Sequence, residues 1–217
     1  MSVYLFINMR LRDEKKQDAI IKKSIQLVND LGFSGISISK IAEEAGVSPA
    51  TIYIYYKNKE DLFTKIYIDI RNKMSQASLQ GVDDSKAIKA QFKSIWYNFF
   101  TYNLQHNDHL VYREHYEQTS MMNNIRQEDF ELFKQVTNLL KKGIEENLIQ
   151  NQSLPFLTAF AFMPIITLLK FNSEGMITLD DNLIHQASEI AWNAVKIYNF
   201  KKREKSDHKM QLVKNKS

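Results

Sequence analysis

Cysteine is absent from the chain, and the 217 residues include only six glycines and three prolines. Without cysteine the protein can form no disulfide and no thiolate metal site, and it cannot be an enzyme with a cysteine nucleophile. So few glycines and prolines leave little room for tight turns, which favours long helices over a β-sandwich or a barrel. Because 44% of the residues are apolar, the chain can bury a core, and its length allows one large domain or two small ones. The expected fold class is all-α.

Long apolar runs are scarce as well. The most apolar stretch, residues 154–169, has about 16 residues and contains Pro155 and Pro164, so it is predicted to be too short to span a bilayer. We therefore expect no membrane partner. The first residues resemble a signal peptide only weakly, because their positive charges follow the short apolar run instead of preceding it. Met9 is an alternative start, in which case residues 1–8 are an artefact; otherwise they form a disordered arm.

Charge is distributed unevenly along the chain, although the net charge is only +4. Residues 66–195 carry 11 Lys/Arg against 15 Asp/Glu, whereas residues 196–217 carry 8 against 2. Basic ends suit a polyanionic partner such as nucleic acid, but a solvated tail explains the C-terminal excess equally well. Residues 204–217 are predicted to be a basic, disordered tail.

Helical periodicity and capping residues divide the rest of the chain into helices. Gly32 and Gly46 stop two early helices, and Ser37 and Ser48 are suitable N-caps for the helices that follow. Pro49 costs nothing at a first helical position, because its missing N–H would be unpaired there. The predicted helices are residues 12–31, 38–45, 49–56, 60–79, 85–105, 107–117, 124–148, 154–173 and 181–202.

Two of these helices, 38–45 and 49–56, are short and joined by a three-residue turn, which is the layout of a helix-turn-helix. The residues predicted to face the core are Ile41, Ala42, Ile52 and Tyr56. The residues left facing outward, available to a groove of DNA, are Pro49, Ala50, Thr51, Tyr53 and Tyr55. Helical hairpins are common in proteins, so the layout alone leaves DNA binding and ordinary packing equally open.

The same stretch, GFSGISISKIAEEAGVSPATIYIYYKNKEDLF, places particular residue types at fixed spacing. They are Gly32-Phe33, Ser37, Ile41-Ala42, Gly46-Val47-Ser48, Ile52-Tyr53, Tyr55-Tyr56, Lys59 and Glu60-Asp61-Leu62-Phe63. In these positions the chain resembles the N-terminal domain of the TetR (tetracycline-repressor-like) family of bacterial regulators. The resemblance covers about residues 15–66, and the remainder is similar only in being helical and of typical length.

Carried over position by position, the resemblance implies a DNA-binding surface. The start of the second helix and the start of the fourth would bind phosphates, and the third helix would meet base edges or phosphates. The implied residues are Ser37, Ser39, Lys40, Ser48, Pro49, Ala50, Thr51, Tyr53, Tyr55 and Lys59. One departure from the family pattern is that no charged residue lies between Val47 and Lys57, where many members carry His or Arg. Base readout should then rest on apolar and hydroxyl contacts, and affinity on salt-dependent phosphate contacts.

The resemblance also implies an order of domains. Residues 9–58 would be the DNA-binding head, with the helix-turn-helix at 38–57. Residues 59–203 would be a larger helical bundle for effector binding and dimerisation, followed by the basic tail.

Aromatic residues are concentrated after the fourth predicted helix. In the family the matching helices surround an effector pocket, and an aromatic lining suits a flat or apolar ligand. The implied pocket residues are Trp96, Phe99, Phe100, Tyr112 and Tyr116, although ordinary core packing explains each of them equally well.

Three histidines, His106, His109 and His115, lie near Asp108 and Glu114. Their spacing fixes no second pair of ligands, so we expect no metal and no cofactor other than an unidentified small-molecule effector. The sequence contains no recognisable nucleophile–base set, phosphate loop or dinucleotide motif, so we expect no enzyme activity.

The last two predicted helices are apolar over more than one face. Such an excess of apolar surface indicates a subunit interface, and small alanines allow helices to approach closely. The candidate interface residues are Phe160, Ile165, Leu168, Ile190, Trp192 and Ala194. The alternative is that both helices complete the monomer core. The dimer is favoured because a twofold protein matches a palindromic DNA site.

Together these features predict a cytoplasmic bacterial regulator that joins the nucleoid when it binds double-stranded DNA. It would repress transcription as a homodimer on a palindromic operator, and its effector would shift the helix 60–79 and change the spacing of the two heads. Two alternatives are a helical ligand carrier without a regulatory role and a helical enzyme that uses His106, His109 and Glu114.

Overall fold

The structure is a computed structural model that describes the backbone of residues 2–197 and the side chains of residues 13–197. The α-helices are α1 (Ser2–Leu31), α2 (Ile38–Ala45), α3 (Pro49–Tyr55), α4 (Lys59–Leu79), α5 (Ile88–Gln105), α6 (Asn107–Glu117), α7 (Glu131–Glu145), α8 (Leu154–Ala161), α9 (Met163–Ser173) and α10 (Asp181–Val195). Within these residues, β structure is limited to one antiparallel bridge between Ile149 and Lys196. The predicted all-α fold class is confirmed.

Packing divides the chain into two compact units. Among the described residues, the first contains residues 2–80 together with residues 98–134, and the second contains residues 81–97 and 135–197. This division differs from the expected change of domain at residue 58, because α4 and α6 share a hydrophobic core with α1, α2 and α3.

An aromatic cluster fills the centre of the first unit. The ring of Phe33, which follows α1, lies edge-on against Phe63 of α4 at 4.9 Å and against Tyr112 of α6 at 5.4 Å. Tyr67 of α4 stacks on Tyr116 of α6 with ring centroids 4.2 Å apart. Such pairs contribute about 0.5–1.5 kcal/mol each beyond the burial of their surface. The cluster therefore joins α1, α4 and α6 into one body.

Local capping shapes the helix-turn-helix as the sequence predicted. Ser37 and Ser48 are the N-caps of α2 and α3, and their side chains accept from the amides of Lys40 and Thr51. Gly46 ends α2 with φ 66°, in the left-handed region that a side chain disfavours. The turn therefore needs glycine at this position and serine two residues later.

The second unit differs from the prediction where a single helix was expected over 154–173. The helix is interrupted at Phe162, because Pro164 has no N–H to donate to the carbonyl of Phe160. The apolar stretch is also longer than expected. Leu154–Ser173 is long and apolar enough to cross a membrane by length and composition alone, and 28% of an 18-residue segment within it is buried.

The helix predicted over 124–148 begins only at Glu131. Two short 3-10 turns, Ser120–Asn124 and Gln127–Asp129, precede it, and Phe130 is buried in the core of the first unit. The last helix was predicted to reach residue 202, but α10 ends at Val195, where Lys196 turns extended to pair with Ile149. The rest of that prediction and the predicted tail lie outside the described residues.

We predict that Gly46→Ala lowers the free energy of unfolding by about 1–2 kcal/mol, because a Cβ in the left-handed region raises the backbone energy by that amount. The added Cβ would meet no atom within 4 Å, so the loss is confined to the backbone. Urea unfolding followed by circular dichroism measures the change. Gly46→Asn is the matched control and should lose less, since Asn tolerates this conformation. Equal losses in the two variants would contradict the argument.

Candidate nucleic-acid interface

Helix α3 presents one face to solvent and one to the core. Ile52 and Tyr56 are buried, as predicted, at 0% and 4% exposure. On the opposite face Tyr53 is 56% exposed and Ile54 is 75% exposed, which are high values for large apolar side chains. Ser48, at the N-terminal end of the same helix, is exposed as well. A seven-residue helix with this exposed face has the size and position of a recognition helix that enters a major groove.

Ile54 is a residue that the sequence interpretation missed. It lies two positions after Ile52, which places it roughly 200° around the helix from that buried side chain. The buried pair Ile52 and Tyr56 was therefore a sufficient signal that Ile54 faces outward. An exposed aliphatic tip suits a thymine methyl group, which projects into the major groove.

The hydroxyl groups predicted to meet DNA also hold the helix ends. Ser48 Oγ accepts from the Thr51 amide at 3.2 Å and lies 3.0 Å from Thr51 Oγ1. Ser37 Oγ accepts from the Lys40 amide at 3.1 Å. A hydroxyl has one donor and two acceptor sites, so a capping serine keeps capacity for a phosphate or a base edge. Ser39, Pro49 and Ala50 are exposed beside them.

Lys59, at the start of α4, is held close to the residues that precede α2. Its Nζ donates to the carbonyl oxygen of Ile36 at 3.1 Å. An ammonium has three N–H donors, so two remain for a phosphate. Lys40 is half-buried and Lys57 is exposed. Lys57 and Lys59 therefore follow the C-terminal end of α3, whose own residues carry no charge.

Tyr55 is placed differently from the other predicted contacts. It is half-buried, its ring lies edge-on against Tyr56 at 6.3 Å, and its hydroxyl is bonded to Asp13 of α1. Burial first, and the charge of Asp13 second, raise the pKa of the Tyr55 phenol. The sequence had placed this residue outward, and in the structure its hydroxyl lies beside Asp13 of α1. Contact between Tyr55 and DNA stays a prediction.

A reciprocal pair of caps joins α3 to α4. Asn58 Oδ1 accepts from the Asp61 amide at 2.7 Å, and Asp61 Oδ2 accepts from the Lys57 amide at 2.8 Å. The hydrogen bond from the Lys57 amide, followed by that from Lys65, lowers the pKa of Asp61. This reciprocal pair of caps fixes the C-terminal end of α3 against the first turn of α4.

The five predicted pocket residues fall in different places. Trp96 belongs to the second unit, where its Nε1 donates to the Ala161 carbonyl at 2.9 Å. The other four belong to the first unit and are buried. Tyr112 donates to the Phe63 carbonyl at 3.0 Å, and Tyr116 stacks on Tyr67 as described above. Tyr112 and Tyr116 are thus core residues of the aromatic cluster, and Phe99 and Phe100 are buried near them in sequence on α5.

The residues predicted to form a subunit interface differ in their exposure to solvent. Phe160 is 53% exposed and Ile190 is 68% exposed, and with Leu168 they line an open apolar groove of about 570 Å³ between α8, α9 and α10. Ile165 and Trp192 are 0% and 6% exposed, so the sequence interpretation was wrong to assign them to a surface. Both side chains lie in the core of the unit. Trp192 is roughly 200° around α10 from the exposed Ile190. Ala194 is half-buried.

The histidines considered as metal ligands form a stacked pair. The rings of His106 and His109 lie 5.1 Å apart, and His109 Nδ1 is 2.8 Å from the Tyr102 hydroxyl. Burial lowers the pKa of His109 and raises that of Tyr102 to about 12. Among the described residues, no group of three or more His, Cys, Asp or Glu side chains is arranged to hold a metal ion.

Two family models match the chain along most of its length. One, described as "Bacterial regulatory proteins, tetR family", matches residues 20–66, which include the helix-turn-helix. The other, described as "Tetracyclin repressor-like, C-terminal domain", matches residues 87–196. The chain belongs to the TetR family. It is therefore a DNA-binding transcriptional regulator, and the coarse function predicted from the sequence is confirmed.

Individual TetR-family relatives agree with this assignment. A TetR family transcription regulator from Marinobacter aquaeolei VT8 has a solved structure with a TM-score of 0.81 and 29% identity, covering 87% of this chain and 100% of that one. The fatty acid metabolism regulator protein of Bacillus subtilis is 25% identical over 130 residues, which is 59% of this chain and 66% of that protein. The negative regulator IcaR of the icaADBC biofilm operon in Staphylococcus epidermidis is 25% identical over 80 residues, 37% and 43% of the two chains. The chain covers less than two thirds of these two curated relatives, so only their shared class of regulator applies to it.

We predict that Ile54→Ala lowers affinity for a specific DNA site about tenfold, which is in the lower part of the ~1–3 kcal/mol range for one base contact. Because Ile54 packs against nothing buried, melting temperature should not change. Fluorescence anisotropy with a labelled duplex measures the affinity. Ile68→Ala is the matched control, since Ile68 is also an exposed isoleucine, 37% exposed, but lies on α4. An affinity unchanged in Ile54→Ala, or lowered equally in Ile68→Ala, would contradict this assignment.

Proposed function

We propose that this TetR-family regulator is a ligand-responsive repressor that acts as a homodimer on a palindromic operator. The observation that carries the proposal is the exposed apolar face of α3, Tyr53 and Ile54, on a rigidly capped helix-turn-helix. Adjacent large apolar side chains at this exposure form a small contiguous patch, and such patches favour contact with a partner. Lys40, Lys57 and Lys59 supply the charge for the flanking phosphates.

Homodimerisation is supported by the groove of the second unit. Phe160, Met163 and Ile190 expose 53%, 56% and 68% of their surface around an apolar groove. The small side chains Ala159 and Ala187 also line it, and they would allow the helices of a second copy to approach closely. An isologous contact of this kind gives a twofold axis, and a twofold protein reads a palindrome.

Response to a ligand is supported by the connection of α6 to α4 within the first unit. Thr64 of α4 lies 2.9 Å from the Tyr116 hydroxyl, and Tyr112 donates to the carbonyl of Phe63. Only three residues separate the end of α3 from the start of α4, and α4 has no internal glycine or proline. A ligand that favours one position of α6 would therefore change the position of α4 and of the recognition helix, through its differential affinity for the two states.

Repression is proposed because IcaR, one of the relatives, is named a negative regulator. A DNA-binding regulator of this family must reach the bacterial chromosome, which implies a cytoplasmic location. Association with the nucleoid would accompany DNA binding. The competing function is a helical carrier of small molecules without a regulatory role, and the absence of specific DNA retention would favour it.

Selection of bound duplexes from random DNA tests the DNA-binding part of the proposal. We expect recovered sequences to contain two inverted half-sites, with thymine at the positions that α3 reaches. Affinity for the recovered site should fall steeply as salt rises, because much of it comes from phosphate contacts. Recovery of no shared sequence, or affinity that does not depend on salt, would contradict the proposal.

We predict that Phe160→Glu converts the dimer to a monomer at micromolar concentration, because a carboxylate would be buried without a partner in the groove. The operator affinity of the full site should fall at the same time, while each half-site is still bound weakly. Analytical ultracentrifugation measures the mass. Met176→Glu is the matched control, since Met176 is 65% exposed but does not line the groove. A dimer that persists in Phe160→Glu would place the interface elsewhere.

A further inference from the structure

Two arginines of the first unit share a single carboxylate oxygen. Arg71 Nη1 lies 3.5 Å from Glu117 Oε1, and Arg113 Nε lies 3.6 Å from the same atom. The hydroxyl of Tyr67 donates to that oxygen at 3.1 Å. The arginine side chains are only 11% and 9% exposed, whereas Glu117 is 38% exposed. The cluster therefore holds two buried cations against one carboxylate that is partly in water.

The hydrogen bonds available inside the protein do not satisfy these cations. Each guanidinium has five N–H donors. Arg113 Nη1 donates to the sulfur of Met74, a weak acceptor, and its Nε is buried without a hydrogen-bond partner. Arg71 donates to Tyr67 at 3.1 Å and to Gln127 Oε1 at 2.8 Å, but its Nε is also buried without a partner. Burial lowers the pKa of Arg113, and Glu117 opposes this only in part.

Aromatic rings and the segment between α6 and α7 surround the two arginines and Glu117. The Arg113 guanidinium lies 6.0 Å from the Phe99 ring centroid, and that of Arg71 lies 4.3 Å from the Phe130 ring centroid. On one side the cover is the segment between α6 and α7, whose 3-10 turns contain no buried residue. Gln127 from this segment contacts Arg71 by a single side-chain hydrogen bond. Gln127 is therefore the one neutral side chain of this segment whose hydrogen bond to Arg71 an entering ligand would have to replace.

We propose that Arg71 and Arg113 bind the anionic group of the effector, a carboxylate or a phosphate carried on an apolar body. The oxygens of that group would replace Gln127 and Glu117 as acceptors, and Glu117 would turn into solvent. Planar guanidinium groups bind such oxyanions in pairs of parallel hydrogen bonds. The inference rests on the proposed ligand response and names the chemical class of ligand.

The position of the two arginines connects such a ligand to DNA binding. Arg71 is on α4, which leads from the recognition helix, and Arg113 is on α6. In the free protein Glu117 holds both at 3.5–3.6 Å, so an entering anion exchanges one set of contacts between α4 and α6 for another. The ligand can then favour a different position of α4 by its differential affinity for the two arrangements.

Calorimetric titration of the full-length protein tests the site. The probes are benzoate, phenyl phosphate and, as the neutral analogue, benzyl alcohol, all at one ionic strength. Arg113→Met should weaken binding of the preferred anion roughly 10- to 100-fold, the range for hydrogen bonds to a charged group. Glu117→Gln removes the competing carboxylate and should strengthen it about tenfold. Neither variant should alter the response to benzyl alcohol.

Lys73→Met is the matched control. Lys73 lies on α4 close to Arg71, but its ammonium is 54% exposed and paired with Asp69 at the surface. Its loss removes one positive charge from the same helix and should leave anion affinity unchanged. Tighter binding of benzoate than of phenyl phosphate would identify a carboxylate ligand, and the reverse order would identify a phosphate. If Arg113→Met does not fold, the gain of affinity in Glu117→Gln still tests the proposal.

A cluster that only holds α4 to α6 would give a different result. Arg113→Met and Glu117→Gln would then shift the melting temperature, and no anion would bind saturably to Glu117→Gln. That outcome, or equal anion affinity in wild type and Arg113→Met, overturns the inference. DNA retention is measured in parallel. Loss of specific DNA binding in the wild-type protein contradicts the proposed function, whereas intact DNA binding with no Arg113-dependent anion effect contradicts only this assignment.

Discussion

The aromatic contacts between α4 and α6 are the constraint on which the rest of the first unit depends. Phe33 inserts between Phe63 and Tyr112, and Tyr67 stacks on Tyr116. The polar ends of these rings are satisfied, since Tyr112 donates to a backbone carbonyl and Tyr116 pairs with Thr64. Such rings can therefore be buried completely without the penalty of an unpaired hydroxyl. They fix α4 along its first half, and α4 in turn fixes the exit of the recognition helix.

The helix-turn-helix could be predicted from the sequence because its determinants are local. Gly46, Ser48 and Pro49 decide where α2 ends and α3 begins, and each acts on atoms no more than four residues away. The buried positions Ile41 and Ile52 followed from helical spacing alone. The same spacing would have placed Ile54 on the outward face. The family resemblance points to hydroxyl and aromatic residues in this helix, so it does not by itself indicate an aliphatic contact at Ile54.

The burial of the residues that follow α4 could not be predicted in the same way. Tyr112 and Tyr116 are aromatic residues on one helix, and their composition suits a pocket lining as well as a core. What decided between the two was Phe33, about 80 residues earlier in the chain, which meets both rings. Ile165 and Ile190 likewise look equivalent in sequence, yet one is 0% and the other 68% exposed. Which face of an all-round apolar helix is buried depends on its neighbours in space.

The seven residues of α3 have a consequence for how such a regulator can change over time. A helix this short is not stable alone in water, so its order comes from the two caps and from Ile52 and Tyr56. The exposed side chains Ala50, Tyr53 and Ile54 contribute little to that order. Substitutions at these three positions can accumulate without loss of folded protein. A duplicated copy of the gene can therefore acquire a new operator while its scaffold stays the same.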